Sequence, residues 1–406
     1  VAMDAVIDAG KLCEAAICYT GDLLDPARAK YDLKYYVAMA HELRAAGAHV
    51  LGVKDMAGLL RPEAARVLFA ALRDEVGLPI HFHTHDTSGI ASATVLAAAE
   101  TGVAVVDAAM DAFSGGTSQP CLGSIVAALA GTDRDTGLEL TAIREISNYW
   151  ERVRDLYVAF EAGSRAPASE VYLHEMPGGQ FTNLKAQARA LGLEDRWHQV
   201  AQTYADVNAM FGDIVKVTPS SKVVGDMALM MVAQGLSRAQ VEDPAVEVAF
   251  PDSVVDMMRG NLGQPPGGWP EALQKKVLKG ETPITTRPGA RMPPVDLAEA
   301  RAGLEATLDR PVDDEDLNGW LMYPKLFTDY AERHRIYGPV RTLPTPAFFY
   351  GMEPGDQISV EIDPGKTLEI QLLTLGDRDD AGNVKVFFEL NGQPRTVRVP
   401  DRGATA

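Results

Sequence analysis

The chain has 406 residues, 46% of them hydrophobic, which is enough for more than one packed core, so two or three domains are expected. Its formal net charge of -18 argues against nucleic acid as a partner, because that affinity comes largely from Lys and Arg neutralising phosphates; any anionic substrate is left to local cations or a metal. No apolar run reaches the roughly 20 residues that cross a bilayer, residues 1–11 lack the basic flank and cleavage signal of a leader, and three irregularly spaced cysteines (Cys13, Cys18, Cys121) make no disulfide framework, so a cytoplasmic protein with reduced thiols and no membrane attachment is expected.

Residues 1–11 read as an amphipathic helix. From there to about residue 130, short β-branched or apolar runs alternate with amphipathic helical ones, the pattern of parallel strands joined by crossover helices. Strands are predicted at 15–19, 49–53, 79–85 and 104–109, and helices at 31–46, 62–75, 91–101 and 123–129. In each unit the polar, glycine-containing segment follows the strand: Thr20-Gly21-Asp22, Lys54-Asp55-Met56-Ala57-Gly58, residues 84–89 and residues 111–119. In a (β/α)8 barrel those are the carboxyl-end loops, where the chemistry is found. Four units make half of such a barrel and would leave its sheet edges open, so further strands are expected before Val1. From 140 to 235 the periodicity is helical, Pro and Gly cluster at 263–268 and 283–294, and two more helices are predicted at 297–308 and 313–335. After Gly338 short strands take over, with Asn391-Gly392 a hairpin signal between 384–390 and 395–399. The expected architecture is α/β: the carboxyl-terminal half of a (β/α)8 TIM barrel over 1–135 (strands 5-8), a helical extension over 136–336, and a small antiparallel β domain over 337–406.

The run His81-Phe82-His83-Thr84-His85-Asp86 is the most informative. Side chains two apart on a strand share a face, so His83 and His85 can point into one site at the strand's carboxyl end, with His81 one layer deeper. Imidazole nitrogens bind zinc and similar divalent ions, and two of them make half a site; the plainer alternative is a polar patch on a solvated strand. Lys54 ends the preceding strand and would face the same cavity, where an unpaired ammonium is costly. Either Asp55 or another acid pairs with it, or it is modified to an anion that can bind metal. Thr218, in Val217-Thr218-Pro219-Ser220-Ser221-Lys222 before a predicted helix, reads on its own as a capping residue. Gly115-Gly116 and Gly178-Gly179 read as turns, Cys121 as core, and residues 313–316 as a solvated helix start.

Together these residues carry a resemblance. Cys18-Tyr19-Thr20-Gly21-Asp22, Lys54-Asp55-Met56-Ala57-Gly58, His83-Thr84-His85-Asp86-Thr87 and Glu175-Met176-Pro177-Gly178-Gly179-Gln180 resemble motifs of biotin-dependent carboxyltransferases with a (β/α) barrel, a group that includes oxaloacetate decarboxylase and the metal subunit of transcarboxylase. Residues 217–222, Leu321-Met322-Tyr323-Pro324 and the run 386–393 are similar to the pyruvate carboxylase family in particular.

The resemblance implies transfer of a carboxyl group from carboxybiotin to pyruvate to give oxaloacetate, an anaplerotic and gluconeogenic step. His83 and His85 match two ligands of a divalent metal (Zn or Mn), and Lys54 matches a lysine that becomes a carbamate on the same metal. Thr218 matches a threonine that relays a proton between pyruvate and biotin; Ser221 and Lys222 match residues of the biotin pocket. The small sheet resembles an allosteric, tetramer-associated domain beside an acetyl-CoA site. A biotin carboxyl carrier domain, ATP and a homotetramer belong to the full-length enzyme. In the family a further metal-binding aspartate and the groups that hold pyruvate come from earlier strands, so this stretch alone is expected to form four consecutive strands and to be inactive by itself. The alternatives are a decarboxylase or transcarboxylase subunit and a non-catalytic assembly fragment.

Overall fold

Alternation along the first strands sorts their side chains onto two faces of one sheet. β1 (Glu14–Cys18), β2 (Val50–Asp55), β3 (Ile80–Thr84) and β4 (Val105–Val106) pair in that order, all parallel. Ile17, Val53 and Phe82 are register partners on one face and are at most 2% exposed, packed with Tyr36, Ala40, Leu68, Phe69 and Val95 of the intervening helices Leu33–Ala45, Pro62–Ala71 and Ala91–Glu100. Each buried Ile, Val, Leu or Phe among them stabilises the fold by about 1.5–3 kcal/mol, and a one-residue slip would turn the strand residues outward, so this face fixes the register. The opposite face then necessarily carries Cys18, Lys54 and His83, which are register partners in a single row.

The structure is a computed structural model that describes residues 1–161 and 166–401, and these fall into two compact units, Val1–Met292 and Pro293–Ala406. The first unit holds the parallel sheet and a second core built by the helices Gly178–Ala190, Trp197–Met210, Ser220–Gln234, Asp252–Arg259 and Glu271–Leu278, with Tyr204, Val207, Val224, Met227, Ala228 and Met258 at its centre. The second unit holds the helices Leu297–Leu308, Asp314–Met322 and Pro324–Tyr337, packed around Leu304, Val312 and Leu317, and the antiparallel sheet β5 (Gln357–Asp363), β6 (Lys366–Arg378), β7 (Asn383–Leu390) and β8 (Gln393–Pro400) in sequence order. The boundary between the units lies inside the 136–336 stretch read as one helical extension, because the helices from Leu297 on build a core of their own.

Most predicted elements stand within a few residues of where the pattern put them. Three differ. The fourth strand, expected over 104–109, pairs only over Val105–Val106; beyond it Asp107 turns to two histidines and Ala109 bridges Cys121 instead. The helix expected over 313–335 is broken at Tyr323, whose backbone is non-helical before Pro324, a residue that lacks the amide hydrogen and disfavours helix just before it. Gly178 and Gly179 open a helix and are not a turn. The Asn391-Gly392 hairpin joins β7 to β8 as read, and Asp313 caps the helix that starts at Asp314 by accepting the Asp316 amide at 2.7 Å. The three cysteines are free, Cys13 buried and Cys18 and Cys121 half-buried. Among the described residues no helix is long and apolar enough to cross a membrane.

Candidate functional site

His83 and His85 bring their Nε2 atoms to 3.3 Å from each other at the carboxyl end of β3. Their other nitrogens decide the tautomers. His83 Nδ1 meets the Asp107 carboxylate at 2.7 Å and His85 Nδ1 meets the Thr117 carbonyl at 2.7 Å. Neither oxygen has a hydrogen to give, so both Nδ1 atoms donate, and in the neutral rings both Nε2 atoms carry lone pairs. Burial first, then His83 and Lys54 nearby, push the His85 pKa down, which favours that neutral ring. Two lone pairs facing each other at this distance repel unless a positive charge sits between them. The pair is therefore suited to a divalent cation, with the orienting partners that metal-bound histidines require. Among the described residues no third His, Cys, Asp or Glu side chain joins them.

Lys54 lies beside them. It is the register partner of His83, half-buried, and among the described residues its ammonium has neither ion pair nor hydrogen bond. The pairing with Asp55 considered from the sequence does not form. Consecutive strand residues point to opposite faces, and Asp55, fully buried on the other one, accepts from the Leu59 and Leu60 amides at 2.9 Å each and from the Thr84 hydroxyl at 2.9 Å.

One layer deeper, His81 is held between two carboxylates. Its Nδ1 lies 3.0 Å from Glu14 and its Nε2 lies 2.8 Å from Asp107, the residue that also orients His83. Burial opposes charge on His81, but the hydrogen bonds to Asp107 and Glu14 outweigh it and raise its pKa. Glu14 stands on β1 and His81 on β3, so the carboxylate must cross β2. It does so over Gly52, where a Cβ would lie 2.8 Å from Glu14 Oε1.

A second constraint falls on His85. A Cβ at Gly178 would come within 2.8 Å of His85 Nδ1 and 2.9 Å of the Thr117 oxygen, the two ends of the hydrogen bond that orients the ring. Gly178→Ala is therefore expected to swing His85 out of line and weaken Mn2+ binding by about 10–100-fold, the usual cost of losing a partner that orients a ligand; calorimetric titration with Mn2+ at unchanged melting temperature checks it.

Thr218 is exposed, and among the described residues nothing hydrogen-bonds its hydroxyl. It is not the helix cap that the sequence suggested. The helix Ser220–Gln234 starts behind Pro219 without a side-chain cap, and it is the Ser220 hydroxyl that ties the turn, 2.6 Å from both the Val215 and Val217 carbonyls. Ser221 is buried, whereas Lys222 is largely exposed and paired with Asp226 at 2.8 Å.

The amino-acid sequence matches two family models, one described as HMGL-like over residues 24–149 and one described as a conserved carboxylase domain over residues 171–371. It is 50% identical over 401 residues to pyruvate carboxylase of Bacillus subtilis and 49% identical over 408 residues to pyruvate carboxylase 1 of Caenorhabditis elegans, covering 99% and 100% of this chain and 35% of either relative. The mitochondrial pyruvate carboxylase of mouse is 46% identical over 405 residues, 99% of this chain and 34% of its own length. The solved carboxyl transferase domain of Rhizobium etli pyruvate carboxylase superposes with a TM-score of 0.96 at 65% identity, covering 99% of this chain and 67% of that one. The same domain solved with pyruvate and biocytin matches with a TM-score of 0.96 at 66% identity, over 98% of this chain and 68% of that one.

The chain belongs to the pyruvate carboxylase family.

It spans about a third of the length of the curated relatives it matches. As a member of this family, it carries the histidine pair and Lys54 together on one sheet face, as their spacing implied. The sequence reading missed Asp107, because it placed that residue inside a strand over 104–109, whereas the strand ends at Val106 and Asp107 is the first residue past it, where Lys54 had drawn attention. It also missed the ion-pair network of Arg28, Glu175, Asp213 and Lys216, for which no local signal exists because its bonded partners lie up to 185 residues apart.

Proposed function

We propose that this chain supplies part of a carboxyltransferase site that moves a carboxyl group from carboxybiotin to pyruvate and forms oxaloacetate. The observation that carries this reading is the 66% identity, over nearly the whole chain, to a carboxyl transferase domain solved with pyruvate and biocytin. On the same ground residues 1–135 are the carboxyl-terminal half of a (β/α)8 TIM barrel, the helices of residues 136–336 its extension, divided between the two compact units, and residues 337–406 an allosteric and tetramer-associated β domain; ATP, acetyl-CoA and a biotin carboxyl carrier domain act in the intact, tetrameric enzyme. A cytoplasmic setting is part of the proposal, and cell fractionation tests it against the mitochondrial setting named for the mouse relative.

His83 and His85 fit a divalent metal, Zn or Mn, through their facing Nε2 atoms, and Lys54 fits as a further oxygen donor once it is a carbamate, formed when its neutral amine adds CO2 and releases a proton. Such an ion supplies Lewis acidity to an oxygen on which negative charge develops. Asp107 and the Thr117 carbonyl keep both imidazoles in the binding tautomer. Thr218 moves the proton. As a C–H bond of the pyruvate methyl breaks, its hydroxyl accepts that proton and gives its own to the biotin nitrogen that loses the carboxyl group, while the enolate carbon bonds to the carboxyl carbon. A hydroxyl can do both because it donates and accepts, and Thr218 is free to do so because it is exposed and, among the described residues, its hydroxyl is bonded to nothing else. Ser221 and Lys222 follow on the same turn and face the biotin side in this reading.

The test is oxaloacetate formation from pyruvate by the intact biotin-bearing enzyme; decarboxylation without net carboxylation of pyruvate would overturn the proposal. For Lys54, an enzyme equilibrated with 13C-bicarbonate is expected to show one carbamate resonance that Lys54→Arg removes. A spectrum without that resonance in metal-loaded protein would leave Lys54 as a plain ammonium.

A further inference from the structure

The run Glu175 to Gly178 has one end on the turn that carries Thr218 and the other on His85. At its far end, Gly178 lies against the His85 ring with no room for a Cβ, and its amide donates to the Met56 carbonyl at 2.8 Å. At its near end, the Glu175 carboxylate accepts from Lys216 Nζ at 2.9 Å, two residues before Thr218. Between them the path is fixed. Glu175 sits in the left-handed region at φ 54°, a conformation rare for a residue with a side chain, and the Met176 amide donates to His174 Nδ1 at 3.0 Å, on a ring that burial keeps neutral by pushing its pKa down to about 4.

The near end is also anchored from the side. Lys216 is 2% exposed, and Glu175 is its one carboxylate partner among the described residues. Arg28, from the loop after β1, pairs with both oxygens of Glu175 and with the Asp213 carboxylate at 3.2 Å. Asp213 accepts from the Asn208 amide at 2.8 Å, and its own carbonyl accepts from the Tyr31 hydroxyl at 2.6 Å. The segment 213–216 is thereby clamped at both ends. Among the described residues Thr218 itself is held by no side-chain hydrogen bond, so its place depends on this clamp.

We infer that Glu175 is a positioning residue: through Lys216 it holds the Thr218 turn at a set distance from His85, with residues 175–178 as the spacer. The inference rests on the reading of Thr218 as the proton relay. A buried ammonium that loses its carboxylate is strongly destabilised. Its easiest relief is for the 213–218 segment to shift until Lys216 reaches water, and Thr218 moves with it. A displacement of about 1 Å at a reacting group costs roughly a hundredfold in rate.

The experiment is a set of variants in the intact biotin-bearing enzyme. Glu175→Gln is expected to lower kcat roughly a hundredfold with the KM for pyruvate and the metal content unchanged. Lys216→Arg, which keeps the charge pair but lengthens it, is expected to give the same pattern in a protein with the wild-type circular dichroism and melting temperature, so the test survives if Glu175→Gln folds poorly. In a Thr218→Ala background neither change is expected to lower the residual turnover further. If both variants keep wild-type kcat, or if they depress turnover equally with and without Thr218, Glu175 does not act through Thr218 and the inference fails. If Thr218→Ala itself turns over normally, it is the relay assignment that fails.

Discussion

Thr218→Ala in the intact biotin-bearing enzyme is expected to lower oxaloacetate formation by roughly 10²–10⁴-fold, the span usually associated with a positioned proton-transfer group. Fold and metal content should not change. The structure separates this outcome from a stability effect. A lost helix cap costs about 0.5–2 kcal/mol, but the hydroxyl that ties this turn belongs to Ser220, and among the described residues that of Thr218 is bonded to nothing. The measurement is steady-state turnover beside thermal melting and metal analysis of the same preparation. A variant that melts like the wild type and still carboxylates at a near-normal rate removes Thr218 from the chemistry.

His83→Ala is expected to release the metal and, with it, the ability to form the enolate. His85 alone keeps one Nε2 lone pair in place, and losing half of a facing pair should cost more than the about 10–100-fold in affinity that follows loss of an orienting partner. The protein should stay folded, because His83 is on the polar face of the sheet while Ile17, Val53 and Phe82 hold the other. Elemental analysis after dialysis against a chelator, compared with wild type and with Gly178→Ala, orders the effects. Full metal retention by His83→Ala would move the metal site away from β3.

The legible parts of this protein are those whose physics is local. Short β-branched or apolar runs at residues 15–19, 49–53 and 79–85 placed the strands, and the two-residue period of a strand put His83 and Lys54 toward one face, because a strand has two faces and the apolar one must be buried. Asn391-Gly392 placed a hairpin because few residues accept its backbone angles; both lie at positive φ. The pairing of Lys54 with Asp55 failed on the same local rule. Once β2 extends to Asp55, the two neighbours must point to opposite sides.

By itself, then, the sequence determined most of the strands and helices, the face that bears the histidines and the family. The tertiary structure alone decided which nitrogen of each histidine carries the hydrogen, since Asp107 and the Thr117 carbonyl come from other loops 24 and 32 residues away. It alone decided that Ser220 and not Thr218 ties the turn, and that Glu175 meets Lys216, Arg28 and, through it, Asp213. At the turn the partners lie only 3 and 5 residues from Ser220, and what decided was which of two neighbouring hydroxyls the backbone turned inward; for the histidines and the ion pairs the physical reason is distance along the chain. Hydrogen bonds and ion pairs act over a few ångströms in space, and a chain that folds back on itself brings together groups whose separation along the sequence leaves no periodic trace.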